Sequence, residues 1–156
     1  MTEQVRAIRR RISESEAGMR AQQLLGADAQ VEREIHYPYF RVDTNCRLPK
    51  VSGQQTMQCT VLVDAVNEQG ATADPVQLED RTVAAQDTLG FTLTPDSASR
   101  VARRYAAHHL GRRARAITNF GVDVGDAELI HKSFWIARDG RPQVMIDSVT
   151  GEAWPV

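Results

Sequence analysis

Two stretches of this chain can be laid over one another, and that self-similarity limits its fold more than any other feature. Ile35-His36-Tyr37-Pro38-Tyr39-Phe40-Arg41-Val42 matches Ile130-His131-Lys132-Ser133-Phe134-Trp135-Ile136-Ala137, and Val61-Leu62-Val63-Asp64-Ala65-Val66 matches Val144-Met145-Ile146-Asp147-Ser148-Val149. Upstream, Leu25-Gly26 matches Leu110-Gly111. Short apolar strands resemble each other by chance, because period-2 alternation is common to all of them. Here Ile-His, an aromatic pair and Val-x-x-Asp-x-Val recur in one order, which points to an internal repeat. The parity agrees as well: Phe40 and Trp135 both fall on the apolar inner face, as do Val63 and Ile146.

The elements around these stretches predict a helix followed by a β-hairpin, twice. Residues 2–25 read as the first helix, with Thr2 as cap and Gly26 as stop. Residues 32–48 and 56–66 read as the first hairpin, joined through Pro49 to Gln55. Its favoured register sets Cys46 opposite Cys59, Val42 opposite Val63 and Phe40 opposite Ala65, which gathers the apolar residues on one face. Residues 67–93 read as irregular, with possible short edge strands at Val76 to Leu78 and Phe91 to Leu93. Thr94-Pro95-Asp96 is a helix start of strong local chemistry, and that helix runs to about Arg115. A turn at Asn119-Phe120-Gly121 follows, then a second hairpin from residues 128–138 and 143–149 around Asp139-Gly140, and a last strand from Ala153 to Val156.

The end of the second hairpin, Ile146-Asp147-Ser148-Val149-Thr150-Gly151-Glu152, resembles the closing strand and turn of a PepSY-type repeat. The first copy departs from that pattern, having Asn67-Glu68-Gln69-Gly70 there. The resemblance implies an interaction or regulatory module and not catalysis. Such repeats are usually met in cell-envelope proteins.

Composition narrows the classes. At 156 residues, 42% hydrophobic and 25% charged, the chain has ordinary globular make-up and enough length for one domain with a core. A net charge of −1 gives no overall field toward nucleic acid. No apolar run reaches the ~20 residues of a membrane span, and the start lacks an apolar export signal, so the expected address is cytoplasmic. Cys46 and Cys59 lack CxxC spacing and are expected to pack as small hydrophobes.

Several residues have the chemistry for a site. His36, His109 and His131 are weak metal candidates, without the short His spacings of a zinc site, so no metal or other cofactor is expected. Arg100, Arg103, Arg104, Arg112 and Arg115 could grip phosphates, with Tyr37, Tyr39 and Tyr105 as stacking rings, but a solvated helix face explains them as well and makes nucleic acid the lesser reading. Asp64 and Asp147 could act as paired carboxylates, although an Asp ending a strand usually caps the turn after it. No hydrolase, P-loop or dinucleotide fingerprint is present, so an enzyme is unsupported. Tyr37, Tyr39 and Arg41 in the first copy, and Phe134, Ile136 and Met145 in the second, occupy the outer sheet face and are the candidate binding residues. The expectation is an α+β single domain over 1–156, with pseudo-repeats at about 2–73 and 94–156, its antiparallel sheet covered on one face by two helices. Its expected role is a non-catalytic protein-interaction module, self-associating or working with a larger partner. The alternatives are nucleic-acid binding through the arginines and an enzyme or metal-binding protein.

Overall fold

The structure is a computed structural model that describes residues 1–50, 53–114 and 121–156. It is α+β, with nine strands and two helices among those residues: β1 (Thr2–Ile8), α1 (Glu14–Leu25), β2 (Gln30–Lys50), β3 (Gly53–Asp64), β4 (Gly70–Thr72), β5 (Leu78–Ala84), α2 (Pro95–Ala114), β6 (Gly121–Val124), β7 (Glu128–Arg138), β8 (Gln143–Asp147) and β9 (Ala153–Pro155). The pairing is mixed and mostly antiparallel, with a parallel step between β1 and β7 at Ala7 and His131. The chain forms two compact units, and both are discontinuous. One holds Met1–Tyr37, Gln77–Leu89 and His131–Val156, and the other Pro38–Val76 and Gly90–Ile130.

In the first unit the predicted helix over 2–25 is corrected. Its opening third is strand β1, paired antiparallel with β5 from Thr2↔Ala84 to Ile8↔Leu78. Val5 and Ala7 point inward beside Val83, a period-2 pattern that helical spacing at Val5, Ile8 and Ile12 masked. The helix starts instead at the capping box Ser13-x-x-Glu16, where Ser13 Oγ accepts the Glu16 N–H at 3.2 Å. Ala17 and Ala21 let α1 sit close on Trp135, Ala137, Val144 and Ile146, so the helix covers the inner face of β7 and β8. The indole of Trp135 donates to the Ile12 carbonyl at 2.9 Å, and the Arg10 guanidinium lies over its ring.

In the second unit β6, β2, β3 and β4 lie side by side, and α2 packs Ala98, Ala102, Ala106 and Leu110 onto Phe40, Val42, Val61 and Val63. Thr94 caps α2 as expected, its Oγ1 accepting the Ser97 N–H. The β2–β3 register differs from the predicted one by two residues: Phe40 lies opposite Val63, Val42 opposite Val61, Thr44 opposite Cys59 and Cys46 opposite Met57. The faces are unchanged, because an even shift preserves side-chain parity. The strands also run farther, to Lys50 and from Gly53, so the connecting segment is shorter than Pro49 to Gln55. Phe91 to Leu93 is not a strand, whereas the irregular stretch before it contains β4 and β5. Arg115 and the turn residues Asn119 and Phe120 lie outside the described residues.

One local arrangement occurs in both units. Beside the pairs Tyr39↔Asp64, Phe40↔Val63, Arg41↔Leu62 and Val42↔Val61 stand Phe134↔Asp147, Trp135↔Ile146, Ile136↔Met145 and Ala137↔Val144. Asp64 Oδ1 accepts from the N–H groups of Val66 and Asn67; Asp147 Oδ1 accepts from those of Val149 and Thr150. Asp64 N–H reaches Gln69 O, and Asp147 N–H reaches Glu152 O. The turns then lead into β4, set on Val61 to Val63, and β9, set on Val144 to Ile146.

Candidate functional site

Residues with catalytic or ligating chemistry are largely enclosed. In the first unit His36 and His131 are buried, 3% and 6% exposed, and the Nδ1 atom of each has no hydrogen-bond partner among the described residues. Burial pushes both imidazoles below their ordinary pKa, because a buried cation loses hydration. For His36 the nearby Glu34 opposes that effect, as does Asp87, while Arg81 and Arg10 reinforce it. For His131 the neighbouring His36 acts in the same direction as burial and Glu3 against it. His109 belongs to the other unit, where its ring stacks on Tyr105 with centroids 5.6 Å apart. Among the described residues no group of three His, Cys, Asp or Glu side chains converges to hold a metal ion.

Ser133 and Ser148 are fully buried and share a hydrogen bond of 2.8 Å. Asp147 is buried too, 2.5 Å from Lys132 Nζ. Burial alone would raise its carboxyl pKa, but the Lys132 ammonium and the Thr150 and Val149 N–H donors hold it below the usual carboxylate range. Asp64 and Asp147 thus serve as turn caps. Cys46 lies in the core with no disulfide, and burial, then the neighbouring Cys59 and Asp123, push its thiol up.

The outer face of β7 in the first unit is less open than its apolar sequence suggested. Phe134 and Ile136 are each only 7% exposed, so these two candidate binding residues are covered within this unit. Tyr37 meets Phe134 edge-on at 6.3 Å, Lys132 lies over the same ring, and Trp154 tilts against it at 6.4 Å. Tyr37 and Met145 are half-buried. Trp154 remains 40% exposed, an aromatic side chain that sequence reasoning left out of the candidate residues. The available signal was an indole between Ala153 and Pro155 in the last strand. Tyr39 and Arg41 lie in the second unit, where Arg41 is taken up by Glu128 at 2.8 Å.

On the second unit, α2 turns Arg100, Arg103, Arg104, His108 and Arg112 outward. Like charges three or four residues apart on a helix destabilise it by about 0.2–0.5 kcal/mol per pair. Arg104, Tyr105 and His108 also line a shallow groove with Glu68, Gly70 and Val101. Among the described residues no helix is long and apolar enough to cross a membrane. No protein-family model, curated protein or solved structure matches the chain.

Proposed function

We propose that this chain is a non-catalytic interaction module, descended from a duplicated hairpin of PepSY-like character, that self-associates through the aromatic row centred on Trp154. The duplication is supported by the matching registers, Asp-capped turns and following strands of the two units. Under that equivalence Trp154 stands where the other copy has Ala71, each opposite the matched residues Met145 and Leu62. An exposed indole backed by a buried ring is the kind of residue that anchors interfaces. That single observation carries the reading. The exposed apolar residues there, Trp154, Pro155 and Val156, offer a small area, so the association is weak, at the small end of interface sizes. A cytoplasmic location belongs to this reading, Cys46 and Cys59 being two residues out of register across β2 and β3 and not joined as a disulfide.

Sedimentation equilibrium over a wide concentration range tests the proposal. A reversible dimer is expected, and Trp154→Ala, which installs the residue of the other copy, should abolish it while the circular dichroism spectrum stays unchanged. A wild-type chain that is monomeric at every concentration ends the self-association reading.

A further inference from the structure

We propose that the outward face of α2 is a docking ridge for the phosphate backbone of duplex nucleic acid, read by charge and not by base. What sets α2 apart is that its arginines without an acid partner stand together on one exposed helix face. Six arginines elsewhere are matched with acids: Arg10 with Glu34, Arg33 with Asp87, Arg41 with Glu128, Arg47 with Asp123, Arg81 with Glu34 and Glu79, and Arg138 with Glu32. Arg9 and Arg20 meet neutral groups, Gln77 Oε1 and the Gly151 carbonyl, and Arg11 and Arg141 are exposed. On α2, Arg103, Arg104 and Arg112 form no ion pair with any described residue, and Arg100 reaches only the Ser97 hydroxyl at 2.9 Å. Residues 51–52 and 115–120, outside the described set, contain no acid that could supply one. Within α2 the sole acid is Asp96, in the first turn.

Arg100, Arg104, His108 and Arg112 follow one another at four-residue steps, a rise of about 6 Å each, with Arg103 beside them. Such a row repels itself unless counter-charge comes from outside the chain. The apolar face of the helix is committed to the core through Ala98, Ala102, Ala106 and Leu110, so α2 cannot insert that face into a lipid surface. Tyr105 does not offer its ring to a base either. It lies between the stacked His109 and Gly70, where an added Cβ would come within 3.0 Å of it, and its hydroxyl accepts the Thr72 N–H. What remains exposed is cationic charge, with Glu68 the one acid in the adjoining groove. A duplex, with one negative charge per about 1.7 Å of axis, complements that row.

The test is fluorescence polarisation of a short labelled DNA duplex of mixed sequence across a salt series, beside co-sedimentation with phosphatidylserine vesicles. Four arginine contacts predict a slope of log Kobs on log salt of about −3.6, and loss of two should reduce its magnitude by about 2. Arg100→Gln with Arg104→Gln should weaken binding at low salt more than tenfold and leave the fold intact, since glutamine keeps the helix propensity. Arg141→Gln, at an exposed arginine of the first unit, should bind as wild type. The proposal falls if the duplex is not bound at low salt, if the double variant binds normally, if Arg141→Gln loses as much, or if vesicles are bound and the duplex is not.

Discussion

Replacing Lys132 with Met should unfold the chain more readily by about 3 kcal/mol. Asp147 has a side chain 3% exposed and lies 2.5 Å from a lysine whose own side chain is 21% exposed. Removing one partner of a buried pair costs about 3–5 kcal/mol, because the other charge stays dehydrated and uncompensated. The low end applies, since Val149 and Thr150 still donate to Asp147 Oδ1. In urea the midpoint should fall by about 1–2 M, taking a slope of about 2 kcal/mol/M for a chain of this size. Asp147→Asn should cost less, because the amide oxygen can keep both turn bonds and Lys132 can turn to water. In the double variant the two losses should fall short of their sum by about 1–2 kcal/mol, the signature of direct coupling. Acid titration gives a second readout. A carboxylate with a depressed folded pKa contributes stability above its unfolded value, about 3.9, and loses it as pH falls through the lower folded value. Lys132→Met should diminish that acid loss. Additive single effects, or an unchanged acid limb, would refute the pairing as a source of stability.

The histidine pair gives a pH dependence of its own. Both imidazoles are depressed in the folded state, so unfolding takes up protons; stability is fully present above about pH 6.5 and declines as pH falls through that value toward the folded pKa values. Denaturant midpoints at pH 7.5 and 5.5 should differ, and His131→Gln should shrink the difference; a flat wild-type profile would sink the idea. Glu68 holds a left-handed φ of 59°, and the residue matched to it in the other turn is Gly151, at 78°. Glu68→Gly should therefore stabilise the chain by roughly 0.5–1 kcal/mol, the relief of the left-handed penalty minus the entropy cost of glycine. Gly151→Ala should destabilise it, since a Cβ there would come within 2.5 Å of Arg20 Nη1. Thermal melts of both variants decide the point.

The parts of this fold that were legible in the sequence are those with local causes. Thr94-Pro95-Asp96 places the start of α2 because its cap closes within three residues, and the Asp139-Gly140 turn places β7 and β8 because Gly140 supplies a φ of 64°. β1 was not legible, since its apolar spacing satisfies a helix and a strand alike, and its partner β5 is distant in sequence. The signal for the boundary was Ser13-x-x-Glu16. The offset of the β2–β3 register has another origin. Alternation decides which face a residue occupies but cannot distinguish shifts of two, and only the paired backbone does so. Of the candidate binding residues, sequence placed Phe134 and Ile136 on the outer face without revealing that neighbouring side chains close over them. Exposure depends on what surrounds a strand, not on the alternation within it.

If the duplication holds, the differences between copies separate structure from binding. The capping aspartates and inner pairs match, and they hold each turn and core in place. The positions that diverge are outward: Tyr39 against Phe134, Arg41 against Ile136, and Ala71 against Trp154. In one copy the outward Arg41 is neutralised by Glu128, while in the other the same position is apolar and buried. Each unit would then have drawn its binding surface from a different source, the first from an indole on β9 and the second from cations on α2. The two surfaces share no residue. Trp154→Ala should leave the salt dependence of duplex binding untouched, and Arg100→Gln with Arg104→Gln should leave self-association unchanged. Loss of both properties in either variant would mean that one surface serves both, and the division of labour between the copies would be wrong.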